Sequence, residues 1–414
     1  MNAICRVCQK PFDITEDDLQ FYQKVSPVIT GIRYDIPPPV WCPDCRQMRR
    51  LTFRNERTLY ERSCDVCHKN IVSSYPSDVP FPVYCTTCYW SDRWDGKEYG
   101  MDFDFHKTFA ENFSILQQRT PRIASMVLQS CHNSDYTNWS DELKHCYLIY
   151  ASSRCEDCYY SSLLVNCKNC MDCQNCTGCQ LCFECISSND CYHGLFLQYC
   201  ANVNDSAFCF GCQGCDHCLF CSNLRKASYC ISNKPVSKEQ FERIWRQTLE
   251  YWTPLKKARE MFHEQKQHVF RKAANIVQCE QSTGNNLIGC KNALSCFDST
   301  NLEDCKFVTY GVNLKDCYDL YAVVDNTQLS YEIMSVNGGY HVLFCTACWD
   351  GCNDLIYCDL LKSATSCFGC IALKRDSYCI LNKQYTINTY RAHQRNQAHI
   401  LDQMSVCPFP VNLF

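Results

Sequence analysis

The sequence predicts a mainly β protein. It reads as two tandem narrow β-solenoids of about 12 residues per coil, with an N-terminal double zinc-ribbon head and helical caps. Three observations carry that prediction. Cysteines recur at multiples of three from Cys131 onward, a repeat of twelve runs through the same stretch, and eight earlier cysteines fall into C-x2-C pairs.

Composition sets the frame. The chain has 414 residues and a formal net charge of -4, so bulk attraction to nucleic acid is not advertised. Forty cysteines would usually mark a short disulfide scaffold. Here, however, residues 1–30 carry no basic-then-apolar export signal, and no run of 18 apolar residues offers a membrane span. The expectation is a cytoplasmic protein without membrane contact, whose cysteines are thiols or metal ligands. Aromatics at 13% point to a packed core and away from a metallothionein-like chain.

Residues 1–100 read as two four-cysteine modules. Cys5, Cys8, Cys42 and Cys45 form the first set; Cys64, Cys67, Cys85 and Cys88 form the second, with the C-x2-C-x17-C-x2-C spacing usual for zinc. Two thiolates three residues apart grip one ion from a tight knuckle, and two knuckles complete a closed tetrahedral shell. Two structural zinc ions are therefore expected. Cross-braced pairing of the first knuckle with the third is the alternative.

The opening "CRVCQKPFDITEDDLQFYQKV…PVWCPDCRQMRR" resembles small zinc-ribbon domains that begin C-x2-C-x2-F and close P-x-x-C-x-x-C-R. The following "FRNERTLYERSCDVCHKNIVSSYPSDVPFPVYCTTCYWSDRWDGKEYGMDFDF" resembles cysteine-rich bacterial proteins common in small-genome lineages, with N-terminal zinc ribbons and Cys-rich repeats. The resemblance runs over most of the chain and implies an architecture, not an activity.

Between the two cysteine sets lie Arg46, Arg49, Arg50, Arg54, Arg57 and Arg62, opposed only by Glu56 and Glu61. These arginines are the candidate contacts to RNA, DNA or a ribonucleoprotein. The competing reading pairs them within a head of balanced charge. Residues 101–130 then form a linker, whose Asp104–Gln118 stretch reads as an amphipathic helix packed through Phe105, Phe109, Phe113 and Leu116.

Residues 131–234 form the first predicted solenoid. All nineteen cysteines from Cys131 to Cys230 share one phase of three, and the other occupants of that phase are uncharged and mostly small. An α-helix drifts against such a period, and a plain strand repeats at two. A backbone that turns a corner every third residue fits. Cys146, Cys158, Cys170 and Cys182 repeat at twelve. The residues after them continue as an outer apolar ladder: Tyr147, Tyr159, Met171, Phe183, Leu195, Ala207, Leu219 and Ile231. The pattern looks like the 12-residue-coil β-helix of insect antifreeze proteins, but the threonine pairs of an ice-binding face are missing. Corners need left-handed backbone, and Asp157, Asn166, Asn169, Gly211 and Gly214 precede inward positions.

A helical cap or linker is expected at 235–276, opened by the Ser237…Gln240 capping box and interrupted at Pro254. The second solenoid, 279–383, repeats the first: "CLFCSNLRKASYCISNK" (218–234) matches "CFGCIALKRDSYCILNK" (367–383) without a gap. Single insertions are expected near Val323/Val324 and near Cys352. Its outer ladder is Leu294, Tyr318, Tyr331, Leu343, Ile356, Phe368 and Ile380, broken by Lys306. Residues 384–414 read as a C-terminal helical cap and tail after Thr386. Both helical segments are expected to close solenoid ends, which would otherwise be unpaired edges.

The interior thiols admit three readings: small packing residues, extra metal or Fe–S ligands, or disulfides. Coil 170–181 would point Cys170, Cys173, Cys176 and Cys179 inward together. Neighbouring coils put Ser, Ala, Leu, Val and Gly in the same slots, which favours packing and confines zinc to residues 5–88. No nucleophile–base constellation or phosphate loop stands out, and Asp95-Gly96-Lys97 is a lone GK. The expected role is a non-enzymatic zinc-binding scaffold or interaction protein. Its head meets nucleic acid, or its apolar ladders pack internally or on a protein partner. The alternatives are a metal-handling or redox protein and a self-assembling structural protein.

Overall fold

The computed structural model describes residues 1–29, 31–51, 55, 57–127, 130–162, 164, 166–171, 204–311, 327–328, 334–336 and 339–393. The chain is an assembly of small sheets with few helices, and two four-cysteine groups lie near its N-terminus. Residues 1–123 form the head. Hairpin β1 (Asn2–Ile4)/β2 (Pro11–Asp13), helix α1 (Glu16–Val25), hairpin β3 (Val28–Ile29)/β4 (Ile32–Arg33) and α2 (Pro43–Leu51) come first. Hairpin β5 (Tyr60–Ser63)/β6 (Asn70–Ser73), β7 (Val83–Tyr84) and α3 (Thr86–Tyr89) repeat the hairpin-then-helix plan. Helix α4 (Phe109–Arg119) leads into β8 (Arg122–Ile123), which pairs parallel with β7. The start of α4 departs from the sequence expectation. A reciprocal capping box between Thr108 and Glu111 sets it, leaving Phe105 outside the helix and 70% exposed.

From Val127 the chain pairs with itself in parallel, for the most part each residue meeting the one twelve further on. Lys144 pairs Glu156 and then Lys168; Tyr147 pairs Tyr159 and then Met171. The same register joins β9 (Asp216–Leu219) to β10 (Ser228–Ile231). A second stack begins at β12 (Ile276–Val277), β13 (Gly284–Ile288), β14 (Cys296–Thr300) and β15 (Thr309–Gly311). It continues through β16 (Thr327–Gln328), β17 (Met334–Val336), β18 (Gly339–Leu343), β19 (Thr346–Cys348), β20 (Cys352–Ile356), β21 (Thr365–Phe368) and β22 (Ser377–Ile380).

Two register shifts interrupt the twelve in the second stack. Gly339 pairs Cys352, so one extra residue sits near Cys352, taken up by left-handed Asp350 and Gly351. The expected insertion near Val323/Val324 lies outside the described residues, as do Tyr318, Tyr331 and the stretch from Cys173 to Cys200. The other shift was not expected: Ile276 pairs Leu287, one residue short. Gly284 makes the short turn possible. Its φ is +135°, and a Cβ there would lie 1.7 Å from the Cys296 carbonyl oxygen.

Backbone hydrogen bonds explain the cysteine and serine phase. Within each three-residue step, one N–H bonds forward to the next turn and one bonds back, as Lys144 N–H to Cys155 O and Asp157 N–H to Lys144 O. The residue before an inward slot is commonly left-handed, including bulky Trp139, Leu148, Phe208 and Tyr357. The N–H of the buried residue that follows is left facing the cysteine-rich cluster. Serine or cysteine one turn earlier accepts it: Cys146 N–H meets Ser134 Oγ at 3.0 Å, and Cys358 N–H meets Cys345 Sγ at 3.3 Å. The same kinds of side chain donate to carbonyls, Ser152 Oγ to Tyr150 O and Cys158 Sγ to Glu156 O and Cys167 O. Buried backbone groups need partners, and a small hydroxyl or thiol supplies them without filling the narrow interior.

The last described turn of each stack is followed by a return strand; of the helical cap and tail expected at 384–414, residues 387–393 are helical and 394–414 lie outside the described residues. After β10 the chain returns as β11 (Lys234–Pro235), and after β22 as β23 (Lys383–Gln384), both antiparallel to the last turn. Asn233 and Asn382 fill the turns. Asn382 Oδ1 accepts from Ile371 N–H, and its Nδ2 donates to Ile371 O and to Gly96 O of the head. Helices α5 (Lys238–Leu249) and α6 (Trp252–His268) follow. They lie on the flank of the first stack, where Phe241, Ala258 and Phe262 pack on Ala207, Phe208, Phe210 and Leu219. Pro254 falls in the first turn of α6, where a missing N–H costs nothing.

The head covers the matching flank of the second stack. Phe21, Tyr22, Val25, Tyr89, Phe109, Phe113 and Leu116 pack with Leu343, Phe344, Tyr357, Phe368, Ile371 and Ile380. Gly369 sits under this contact, where a Cβ would meet the Phe109 ring at 2.9 Å.

Candidate metal centres

Each cysteine set is built the same way. A hairpin carries the first knuckle, and a left-handed residue closes it: Gln9 at φ 60° after Cys8, His68 at φ 57° after Cys67. Their N–H groups bond back to Cys5 O and Cys64 O. The second knuckle opens a helix, Cys42 before α2 and Cys85 as the N-cap of α3. Backbone N–H groups there donate to sulfur: Cys42 to Cys5 Sγ and Cys85 to Cys64 Sγ, both at 3.2 Å. Helix N-termini and N–H donors both favour thiolate.

The structure brings together Cys5, Cys8, Cys42 and Cys45, and separately Cys64, Cys67, Cys85 and Cys88, all ligand atoms in each group within 4.8 Å. Cross-braced pairing is excluded by this grouping. Cys8 and Cys42 sulfurs are 3.7 Å apart, Cys67 and Cys85 sulfurs 3.8 Å. A tetrahedral shell with zinc–sulfur bonds of about 2.3 Å has sulfur–sulfur edges of about 3.8 Å. A disulfide would need about 2.05 Å, and no disulfide joins any described cysteine.

The electrostatics favour a cation. Burial would raise Cys5 and Cys64, but backbone N–H donation, led by Cys42 and Cys67 respectively, brings them down to about 6 and about 7. Burial pushes Cys45 and Cys88 up to about 12, and the neighbouring thiols add to it. Four thiolates cannot share so small a volume without a compensating charge; a divalent ion supplies it and displaces the protons.

The structure turns several of the candidate nucleic-acid arginines into the head, as the competing reading of internal pairing expects. Arg46, Arg49 and Arg50 are buried, at 3%, 5% and 3% exposure, on the face of α2 turned inward. Arg46 donates to Tyr22 Oη and lies over the Phe307 ring of the second stack; Arg49 lies over Trp41. Arg62 is held by Pro76 O and Asp65. These four do not face a phosphate in solvent. Arg57 is exposed and reaches Ser162 Oγ. Arg54 lies outside the described residues.

Charged groups that sequence reasoning passed over dock the head instead. Arg122 pairs with Asp359 at 2.6 Å, Lys306 with Asp18 at 2.8 Å, and Lys97 with Asp376 at 2.6 Å. Lys374 Nζ sits 4.3 Å from the Trp94 ring centroid and 4.9 Å from that of Tyr89, and donates to Tyr89 O. Two of these residues left a trace in the sequence: Lys306 broke an apolar ladder, and Lys97 stood in the lone Asp95-Gly96-Lys97.

The interior thiols form no third group of metal ligands among the described residues. Burial pushes Cys345, Cys348, Cys358 and Cys370 well up, so they stay neutral. The four-thiol turn at Cys170, Cys173, Cys176 and Cys179 is described only at Cys170. No helix among the described residues is long and apolar enough to cross a membrane. Comparison with family models, with curated proteins and with solved structures returned no match.

Proposed function

We propose that the chain is a non-enzymatic, zinc-binding scaffold: two tandem narrow β-solenoids, with a head whose two four-cysteine sites each hold one structural zinc. The observation that carries this reading is the coupling of the metal knuckles to the docking surface. Tyr89, a ring that packs on the second stack, ends the same short helix that holds Cys88. Arg46, adjacent to Cys45, touches Tyr22 and Phe307. All four ligand positions in each set are filled by cysteine, so the metal braces the head and has no open site for chemistry.

Elemental analysis of purified protein is expected to give two zinc per chain. Cys358→Ser keeps both, because serine already serves in equivalent inward slots, whereas Cys64→Ser loses one. Four or more equivalents, or metal lost from Cys358→Ser, would return the interior thiols to a metal-handling or redox role.

A nucleic-acid contact, within this reading, moves from the head to the exposed side of α5 and α6. Lys238, Arg243, Arg246, Lys256 and Lys257 are all exposed there. Retention on immobilised RNA should fall with salt and be weakened by Lys256→Ala/Lys257→Ala, with Arg57→Ala unchanged. Loss in Arg57→Ala alone would put the contact back on the head.

A further inference from the structure

Three ends of the two stacks are closed by visible devices. The first stack starts under the head, where Asn138 Nδ2 donates to Asn55 O. It finishes on β11, whose Lys234 and Pro235 present a charge and a residue with no N–H to any further strand. The second stack finishes on β23, led by Lys383. Lysine and proline are the standard means of blunting a sheet edge.

Among the described residues, the fourth end carries no such device. Strand β12 is the outermost strand of its sheet among the described residues. The first turn of the second stack reads Asn275-Ile-Val-Gln-Cys-Glu-Gln-Ser-Thr283, with one charge, no lysine and no proline. Ile276 and Val277 are 39% and 40% exposed, and Ile288, Leu294 and Phe297 beside them are 44%, 38% and 44% exposed. Even the inward Cys279 is only partly covered. In the interior turns the residue at the corner commonly bonds back to the previous turn, as Asn292 N–H does to Glu280 O. Gln278 and Gln281 hold the matching left-handed corners, and no described carbonyl receives their N–H groups.

We propose that this edge pairs with the same edge of a second copy of the chain, in a two-fold symmetric dimer. A two-fold axis lays the two β12 strands antiparallel, so each edge supplies donors and acceptors to the other and the apolar side chains around Ile276 and Val277 meet their own kind. The nearly uncharged edge sequence brings little like-charge repulsion to such a pairing. Growth ends at two, because the far end of the second stack is blunted by Lys383 and the end of the first by Lys234-Pro235. A heterologous stacking of open on closed ends would instead propagate into fibres.

The test is the solution mass of the full-length, metal-loaded protein by light scattering and sedimentation across a concentration series. The expected result is twice the 48.1 kDa chain mass, falling to the chain mass in Val277→Lys. Thr300→Lys, on the same sheet but two turns inside the edge, is expected to leave the dimer intact. Hydrogen exchange of wild-type amides 276–283 serves as a second readout that needs no variant; protection should rise with protein concentration. A mass of one chain at every concentration, concentration-independent exchange, or growth beyond two chains would each overturn the proposal.

Discussion

Stripping metal from the head is expected to undock it from the second stack while both stacks persist. A strong chelator at neutral pH, or Cys64→Ser together with Cys42→Ser, should release the ions. Tryptophan fluorescence should change with them, since Trp41, Trp90 and Trp94 all belong to the head. A hydrophobic dye should then bind, because Leu343, Phe344, Tyr357 and Phe368 lose their cover. Structural zinc contributes on the order of 10–16 kcal/mol to small domains at neutral pH, far more than a module of this size supplies by burial alone. The stacks hold their own hydrogen bonds and interior, so most β-sheet circular dichroism should survive. If dichroism and fluorescence are lost together, the head and stacks are one cooperative unit and the metal is not a separable brace.

The pH dependence has a definite sign. Cys5 and Cys64 have folded-state values lowered from 9.0 to about 6 and about 7. A lowered value means stability that is present above the unfolded value and lost as pH falls through the folded one. Metal loss reinforces this, since protons compete for the same sulfurs. Titrating downward should therefore weaken the metal-free head progressively from about pH 9 through about 7 and about 6, the values for Cys64 and Cys5, and acid should promote metal release and not oppose it. Release that rises with pH would contradict the assignment of these thiolates as ligands.

The periodic parts of this molecule were legible because backbone geometry imposes them. A corner at every third residue turns N–H groups and carbonyls toward the buried column, where small hydroxyls and thiols meet them: Ser134 and Cys345 accept from N–H groups, Ser152 and Cys158 donate to carbonyls, and their spacing shows in the bare sequence. The knuckles were legible for a similar local reason. What escaped was everything set by which surfaces meet. Arg46, Arg49 and Arg50 look like a solvent-facing basic run, yet α2 turns them inward. The reason is tertiary: Phe307 and Tyr22 arrive from elsewhere in the chain to receive Arg46. Asn233 and Asn382 stood in the duplicated ISNK/ILNK segment, but that their amides replace a missing turn follows only from the return strands beside them. The short first turn did leave a mark, since the gap of eleven from Cys279 to Cys290 breaks the phase of three, but that Gly284 absorbs it follows only from its φ.

Asp359→Ala should be among the most damaging single substitutions outside the cysteine ligands. Asp359 and Arg122 form an ion pair across the head–stack contact, with side chains only 12% and 9% exposed. Burial disfavours the guanidinium charge, and the adjacent Asp359 carboxylate more than offsets it, holding Arg122 above its ordinary value. Thr346 Oγ1 donates to the same carboxylate, and the Arg122 guanidinium lies over the Phe81 ring. Removing the carboxylate leaves Arg122 charged, buried and without its counter-ion, a change that costs about 3–5 kcal/mol. Asp359→Asn keeps the acceptor oxygen and should cost less. Urea unfolding of the metal-loaded protein measures both, with the head tryptophans as reporters. The pair itself need not stabilise, since a buried pair replaced whole by apolar residues is often neutral. Arg122→Met/Asp359→Leu should accordingly recover much of what Asp359→Ala loses. A double variant no better than Asp359→Ala would mean that the site's hydrogen bonds to Thr346, rather than the uncompensated charge, dominate the loss.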